Sequence, residues 1–362
     1  MKLVISAVNF TEGGPLTVLL DAVKAAEENF PKWDITVLVN NAGIIRSDRV
    51  SVLEFPYAKK SWLIRLYCEW FYFKALSIKL KPEVWLSLHD ITPRVVVSRQ
   101  YVYCHNPTPF SSEKISNQLL DWKFLLFKRF YGYLYGFFIK RNSAVIVQQS
   151  WLRKEFKIRY LIPRVIVAHP NNSSSFSPLT SRRNKLPSTF FFPAFPRVFK
   201  NFELLGHALE ILEKDPLWRG RVLITIDGTE NLYSSFIFKE FKHLKSLEFI
   251  GLQSSEDIHK YYSQVDALIF PSLLETWGLP LTEAKLHSLP ILAIDLPYAH
   301  EAIGSYDQVS FFPVENPQKL ASLILSLHLG RQSYGASYLD EMVKPYAADW
   351  GELFSILLVD DA

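Results

Sequence analysis

The feature that most limits the fold is an alternation, present twice, of short apolar runs with stretches of helical period. In the first series KLVISAV leads through the turn NFTEGG to the helical pattern PLTVLLDAVKAAEENF and a second apolar run, DITVLVN. VWLSLHD, RQYVYCHN and SAVIVQQS continue the series, separated by longer aromatic stretches of helical pattern. A polar segment, HPNNSSSFSPLTSRRNKLPS, then intervenes. Alternation resumes with STFFFPAF, a helix from about Asn201, RVLITIDG, LEFIGL, the helical SEDIHKYYSQV, DALIFPS, a further helix, LPILAID and QVSFFP. Strands alternating with helices predict parallel sheets covered on both faces. The polar segment has the chemistry of a linker. The expected architecture is α/β with two doubly wound domains, residues 1–170 and 189–344, joined by a linker over 171–188. The tail AADWGELFSILLV predicts a helix, about 345–362, that packs back on the first domain. No internal repeat is evident.

A chain of 362 residues, 49% hydrophobic and 21% charged, has the apolar content for two cores. Its two cysteines, Cys68 and Cys104, give no disulfide framework and point to a reducing compartment, the cytoplasm. The opening MKLVISAVNF lacks a long apolar segment and a small-residue cleavage site, and reads as a first strand. The net charge of +4 is unevenly spread: residues 1–200 hold 29 Lys/Arg against 13 Asp/Glu, residues 201–362 hold 11 against 23. Such asymmetry turns the basic half towards an anionic partner. No nucleic-acid module accompanies it, which weighs against DNA or RNA.

Two aromatic stretches invite a membrane test. Leu119–Ile139 carries Asp121, Lys128 and Arg129 on the narrow face that also holds Gly132 and Gly136; the remainder, Lys123 apart, is largely apolar, as for a helix mostly buried in protein. Its charges argue against a span. Lys59–Lys81 mixes six Lys/Arg with Trp62, Trp70, Phe71, Tyr72 and Phe73. Bases with aromatics suit an interfacial helix on anionic lipid, with Lys59, Lys60 and Arg65 as contacts. An ordinary core helix with a basic outer face fits equally well.

Two carboxylates carry the chemistry. In PSLLETWGLPLTEAKLHSLPILAID, Glu275 and Glu283 flank Gly278 and Pro280. One continuous helix would set them about 80° apart. Pro280 instead suits N1 of a new helix, leaving Glu275 in the loop after the strand and Glu283 in the helix's first turn. That is the carboxyl end of a parallel strand, where open α/β sheets bind ligands. Free N–H groups at the helix start, around Gly278 and Leu279, suit phosphate. The carboxylates suit paired hydroxyls. A nucleoside diphosphate-sugar offers both. The ordinary reading of Glu283 is a carboxylate favourable to the helix dipole; Glu275 has no comparable role.

These residues resemble a known family. FPSLLETWGLPLTEAKLHSLPILAID is similar to the E-x7-E region of retaining glycosyltransferases of family 4, which have the GT-B fold: two Rossmann-like domains facing across a cleft. LPYAHEAIG resembles the segment after the next strand, and FFFPAFPRVFKNFELLGHAL the early second-domain segment with a lysine on the donor diphosphate. Lys200 matches that lysine. The arginine common five residues earlier is replaced by Phe195, with Arg197 nearby. The likeness is close over Phe190–Glu301 and loose elsewhere. It implies that Glu275 faces the donor sugar, that Glu283 faces the ribose, and that Lys200 and Arg197 face the diphosphate. In the first half, Gly13 and Gly14 of FTEGGP permit close backbone approach, with Pro15 starting the helix. An ordinary tight turn reads equally well, and the resemblance places this loop by the diphosphate and acceptor. His105 in YVYCHNPTPF resembles the family's histidine near the reacting sugar; His89-Asp90 is a weaker candidate, and Asn171 and Asn172 lie at the domain crossing.

Several designs are disfavoured. No Asp-x-Asp occurs, His and Cys show no zinc spacing, and G-x-G-x-x-G, G-x-S-x-G and G-x-x-x-x-G-K-[ST] are all missing. The expectation is a metal-independent transferase without cofactor, its nucleotide-sugar a co-substrate. The acceptor would be a saccharide, lipid-diphosphate-linked as in bacterial O-antigen or capsule assembly, reached from the cytoplasm at the inner face of the plasma membrane. Two alternatives stay open: a GT-B nucleotide-sugar hydrolase or epimerase, and a non-catalytic nucleotide-sugar-binding subunit, which Glu275, Glu283 and Lys200 argue against and Phe195 keeps open.

Overall fold

A computed structural model describes residues 1–11, 13–170, 186–332, 334–335 and 342–358. Most of the expected linker, with Asn171 and Asn172, lies outside the described residues, as do Glu12 of the FTEGGP turn and residues 359–362. The described residues form two compact units. Met1–Phe110, Phe130–Asn172 and Glu341–Ala362 make the first, and Ser111–Arg129 with Ser173–Asp340 the second. Ser111–Arg129, inside the span 1–170, thus groups with the second unit.

The chain begins β1 (Lys2–Ala7), α1 (Gly13–Asn29), β2 (Asp34–Val39), β3 (Ser51–Glu54), α2 (Trp62–Tyr67), α3 (Phe73–Leu80), β4 (Val84–Ser87), β5 (Arg99–Cys104). After α4 (Trp122–Leu126), a helix of the second unit, come α5 (Gly132–Gly136), β6 (Ala144–Val147), α6 (Ser150–Tyr160) and β7 (Val165–Ala168). The second unit continues with β8 (Thr189–Phe192), α7 (Phe202–Leu212), β9 (Arg221–Ile224), α8 (Leu232–Phe241), β10 (Leu247–Phe249), α9 (Ser255–Gln264), β11 (Ala267–Phe270), α10 (Leu279–Leu286), β12 (Ile291–Ile294), α11 (Pro297–Ile303), β13 (Val309–Phe312) and α12 (Pro317–His328). β14 (Tyr346–Ala347) and α13 (Trp350–Leu358) return to the first unit.

Both sheets are parallel throughout, as the alternation predicts. The first has order β14-β7-β6-β5-β4-β1-β2-β3, the second β10-β9-β8-β11-β12-β13. In each, strand order reverses once, between β1 and β4 and between β8 and β11, and such a switch point opens a crevice at the strands' carboxyl ends. Side chains alternate across β1: Leu3, Ile5 and Ala7 join a core with α1 and α13, while Val4 joins one with Phe73 and Trp85. α13 buries Trp350, Leu353, Phe354 and Leu357, the i, i+3, i+4, i+7 stripe of an amphipathic helix. β3, β7 and β14 escape the sequence reading, because each is short and two lie at sheet edges.

Three local expectations need correction. α1 is already under way at Gly13, whose φ is +67°, so Pro15 sits within its first turn. Leu119–Ile139 is not one helix with its apolar residues buried. A π turn, Phe127–Tyr131, separates α4 from α5, and Leu119, Trp122 and Tyr133 are exposed. The hydroxyls of Tyr131 and Tyr135 donate to the buried Asp90 at 2.9 and 3.0 Å, so the hydroxylated face turns inward. Arg65, expected at a lipid surface, is buried at 5% exposure. It donates to His89 O at 2.6 Å, because α2 turns that face towards β4. Among the described residues no helix is long and apolar enough to cross a membrane.

Candidate functional site

In the second unit the loops after β8 and β11 meet at the switch point. Leu273 N donates to Phe199 O at 2.7 Å and Asn201 Nδ2 to Pro271 O at 3.3 Å, so neighbouring strands deliver neighbouring loops. Lys200 ends a 3-10 turn, Val198–Lys200, and its Nζ pairs with Glu275 Oε1. Ser272 Oγ donates to the same carboxylate at 2.7 Å, and Tyr298 of α11 secures Ser272 by donating to its carbonyl at 2.5 Å. Lys200 also lies over the rings of Phe199 and Phe270, 5.6 and 5.7 Å from their centroids. The two residues set 75 positions apart in the chain are thereby in direct contact.

Gly278 sets where α10 begins. Its φ of +83° makes it the N-cap, with Leu279 at N1 and Pro280 at N2. A β-carbon there would lie 3.2 Å from both Leu281 Cδ1 and Phe270 Cε1, so backbone conformation and space both select glycine. Trp277 Nε1 donates to Thr282 Oγ1 at 2.9 Å and ties the loop to the helix. Because the helix starts one residue earlier than expected, Glu283 falls beyond its first turn. Burial raises the Glu283 carboxyl, opposed by a hydrogen bond with the Tyr262 hydroxyl and by His259. Tyr262 is a partner the sequence did not disclose; it belongs to α9 and no local pattern links it to Glu283.

Arg197 is placed elsewhere. Its Nε donates to Asp121 Oδ2 at 2.5 Å, and Asp121 also caps α4 by accepting from Phe124 N at 3.0 Å. Phe195, five residues before Lys200, is 53% exposed. Arg197 is therefore salt-bridged to the 111–129 segment, and Lys200 to Glu275.

In the first unit the corresponding crevice gathers Ser6, Phe10, His89, Asp90 and His105. His105 follows β5, and its backbone N–H donates to Asp90 Oδ1 at 2.7 Å while Nδ1 stands 3.6 Å from that oxygen. Asp90, in the left-handed region at φ +70°, also accepts from Asn106 N at 3.3 Å and from both tyrosines. Phe10 packs edge-on against His105 and His89, with centroids 5.3 and 6.3 Å apart. His89 is fully buried: Nε2 meets Ser6 Oγ at 3.1 Å, and Nδ1 lies 3.2 Å from both Arg65 Nη2 and Glu69 Oε1. Arginine only donates, so Nδ1 accepts and Nε2 carries the proton. Burial, then Arg65, holds His89 well below the usual imidazole range. Burial pushes Glu69 up to about 8 against the pull of Arg65. Gly13 and Gly14 open α1 beyond Phe10. Among the described residues no cluster of three or more His, Cys, Asp or Glu is arranged to hold a metal.

The family model for glycosyl transferases group 1 matches residues 180–338. Among curated proteins none matches the sequence as a relative. Solved structures match over nearly the full length at low identity. Sucrose-phosphate synthase from Thermosynechococcus elongatus is 16% identical, with a TM-score of 0.65 over 91% of this chain and 90% of that one. The lipopolysaccharide outer core galactosyltransferase WaaB in its apo form is 13% identical, with a TM-score of 0.64 over 92% of each. Anabaena Alr3699/HepE, in complex with UDP and glucose, is 15% identical, with a TM-score of 0.56 over 90% and 89%. The stretch that matches the group 1 glycosyl transferase model thus includes the loops that hold Lys200, Glu275 and Glu283, in a chain with the GT-B fold.

Proposed function

We propose that the chain is a retaining, family 4-type glycosyltransferase that moves a hexosyl or deoxyhexosyl group from a nucleotide-sugar to a saccharide acceptor. The observation that carries the reading is the contact of Lys200 with Glu275 at the switch point, beside the start of α10. A diphosphate drawn to Lys200 and to the free N–H groups of α10 releases Glu275 to accept hydrogen bonds from the donor sugar. Glu283 then serves the ribose hydroxyls. In the reaction the bond from the anomeric carbon to the phosphate oxygen breaks and the bond to the acceptor oxygen forms. The acceptor proton passes to the departing phosphate, so no protein base is assigned. Charge on the leaving diphosphate is met by Lys200, by Arg197 once it leaves Asp121, and by the α10 backbone, without a metal. By the family resemblance, His105, with Gly13 and Gly14, serves the sugar and acceptor. Retention rests on the E-x7-E resemblance. The Anabaena protein's complex with UDP and glucose supports a nucleotide-sugar donor. The acceptor is lipid-diphosphate-linked, of the surface-polysaccharide kind, met from the cytoplasm at an anionic membrane.

One observation favours a second reading, a non-catalytic nucleotide-sugar-binding subunit. Phe195 stands at the family's arginine position, and Arg197 is engaged by Asp121. Thermal stabilisation by UDP-, GDP-, dTDP- and ADP-sugars separates the readings when paired with donor turnover on a lipid-linked saccharide. Stabilisation by one nucleotide series, weakened in Glu283→Ala, together with transfer, is expected. Stabilisation without transfer to any acceptor would establish the subunit, and no stabilisation by any donor would overturn both.

A further inference from the structure

The outer surface of α2, the π turn Cys68–Tyr72 and α3 has a composition unusual for a surface facing water. Leu63 is 80% exposed, Tyr67 and Phe71 59% each. They follow one another at four-residue spacing, and the last two rings stack at 5.9 Å. On the inner side Trp62 packs on Tyr131 at 6.0 Å and Trp70 on Phe137 at 5.3 Å, which sets α5 alongside. α5 adds Tyr133, 71% exposed. Isolated exposed apolar residues need no explanation, but a contiguous aromatic band marks an interaction site.

The charges beside this band have one sign. Lys59, Lys60, Lys74 and Lys79 are exposed, whereas the only carboxylate in residues 55–81, Glu69, is completely buried. Residues 130–143 contain Lys140 and Arg141 and no acid. A symmetric contact with a second copy would set these ammonium groups against one another. A surface of aromatic rings and ammonium groups complements a negatively charged plane into which rings can sink. We infer that this face of the first unit, Leu63, Tyr67, Phe71 and Tyr133 ringed by Lys60 and Lys74, docks on an anionic phospholipid bilayer. The inference deepens, and rests on, the reading of the chain as an enzyme whose acceptor is anchored in a membrane. It also replaces Arg65 as a lipid contact, since that guanidinium is turned inward onto His89.

Co-sedimentation of the full chain with vesicles, of phosphatidylcholine alone or mixed with phosphatidylglycerol, tests it. The wild type is expected to pellet with the mixed vesicles and not with phosphatidylcholine alone. Lys60→Glu with Lys74→Glu, and separately Leu63→Ser with Tyr67→Ser, should each lower the bound fraction about tenfold or more. Ile158→Ser, which alters a residue on α6 that is 72% exposed, should leave it unchanged. All four sites are at the surface, and an unaltered melting temperature verifies each fold. Binding that survives both double variants, or that is equal on both vesicle types, overturns the proposal. So does a lower solution mass of the variants than of the wild type with no change in vesicle binding, which would make the band a protein contact. Nucleotide-sugar stabilisation measured on the same variants keeps the two readings apart: its persistence when vesicle binding fails refutes only the docking face. Its absence in the wild type refutes the nucleotide-sugar readings and leaves the docking face standing.

Discussion

Glu69, Arg65 and His89 form a cluster whose protonation is set by burial rather than by solvent. A carboxyl held up to about 8 when folded, against the usual 4.5, binds its proton in the folded state across that whole interval. Its contribution is therefore complete below the unfolded value and is lost as pH rises through the folded one. His89 has the opposite sign: held well below 6.5, it favours the folded state above 6.5 and opposes it as pH falls. Above pH 6.5 the proton that the folded cluster loses is that of Glu69. Raising the pH from 6.5 to 8 should thus destabilise the first unit by roughly 1–2 kcal/mol, and Glu69→Gln should flatten that slope in urea titrations at the two pH values. An unchanged slope in the variant would assign it elsewhere. Asp121 supports a second expectation. Asp121→Asn weakens its hold on Arg197, so nucleotide-sugar affinity should rise severalfold in calorimetry if Arg197 serves the diphosphate; a fall or no change would remove Arg197 from the donor site. Neither cluster was legible in sequence. Arg65 reads as a surface base because nothing local shows that its partner, the His89 carbonyl, lies 24 positions on. Lys200 and Glu275 were legible as separate positions in motif-like segments, while their contact follows from the adjacency of β8 and β11.

At the level of elements, the start of α10 depends on one glycine. Gly278→Ala places a side chain at φ +83° and 3.2 Å from two neighbouring carbons. A non-glycine residue held in such a conformation costs about 1–3 kcal/mol. Urea unfolding should show that loss, and nucleotide-sugar stabilisation should shrink with it, since Leu279 N–H and the Trp277–Thr282 tie move with the turn. Full retention of both would mean that α10 begins elsewhere. The glycine–proline break was readable because backbone chemistry is local. The exact first residue was not, since Leu279 and Pro280 are each acceptable at N1 and the choice falls to packing of Leu281 on Gly278. The π turns, Cys68–Tyr72 and Phe127–Tyr131, were illegible for the same reason in stronger form. Each shifts a helix face by tertiary contacts, Glu69 with His89 in one and Tyr131 with Asp90 in the other, and no residue pattern announces them.

For the whole molecule, the last described segment belongs to the first unit although it follows the second in sequence. β14 extends the first sheet beside β7, and α13 covers α1. The carboxyl end of α13 is bound by Tyr101, whose hydroxyl donates to Leu357 O at 2.7 Å, and by Arg99, which donates to Leu358 O at 3.0 Å. Trp350, Leu353, Phe354 and Leu357 are each at most 3% exposed. Burial of each such side chain contributes about 1.5–3 kcal/mol, so the four together rival the roughly 5–15 kcal/mol stability of a whole domain. Truncation after Lys344 should therefore unfold the first unit and leave the second folded. Lys200, Glu275 and Glu283 all lie in that second unit, and nucleotide-sugar stabilisation should persist on the one remaining calorimetric transition. Vesicle binding, which needs the aromatic face of the first unit, should lose its dependence on Leu63 and Tyr67. Two intact transitions in the truncated chain would show that α13 is dispensable to the first unit, and loss of both would show that the second unit cannot stand without the first.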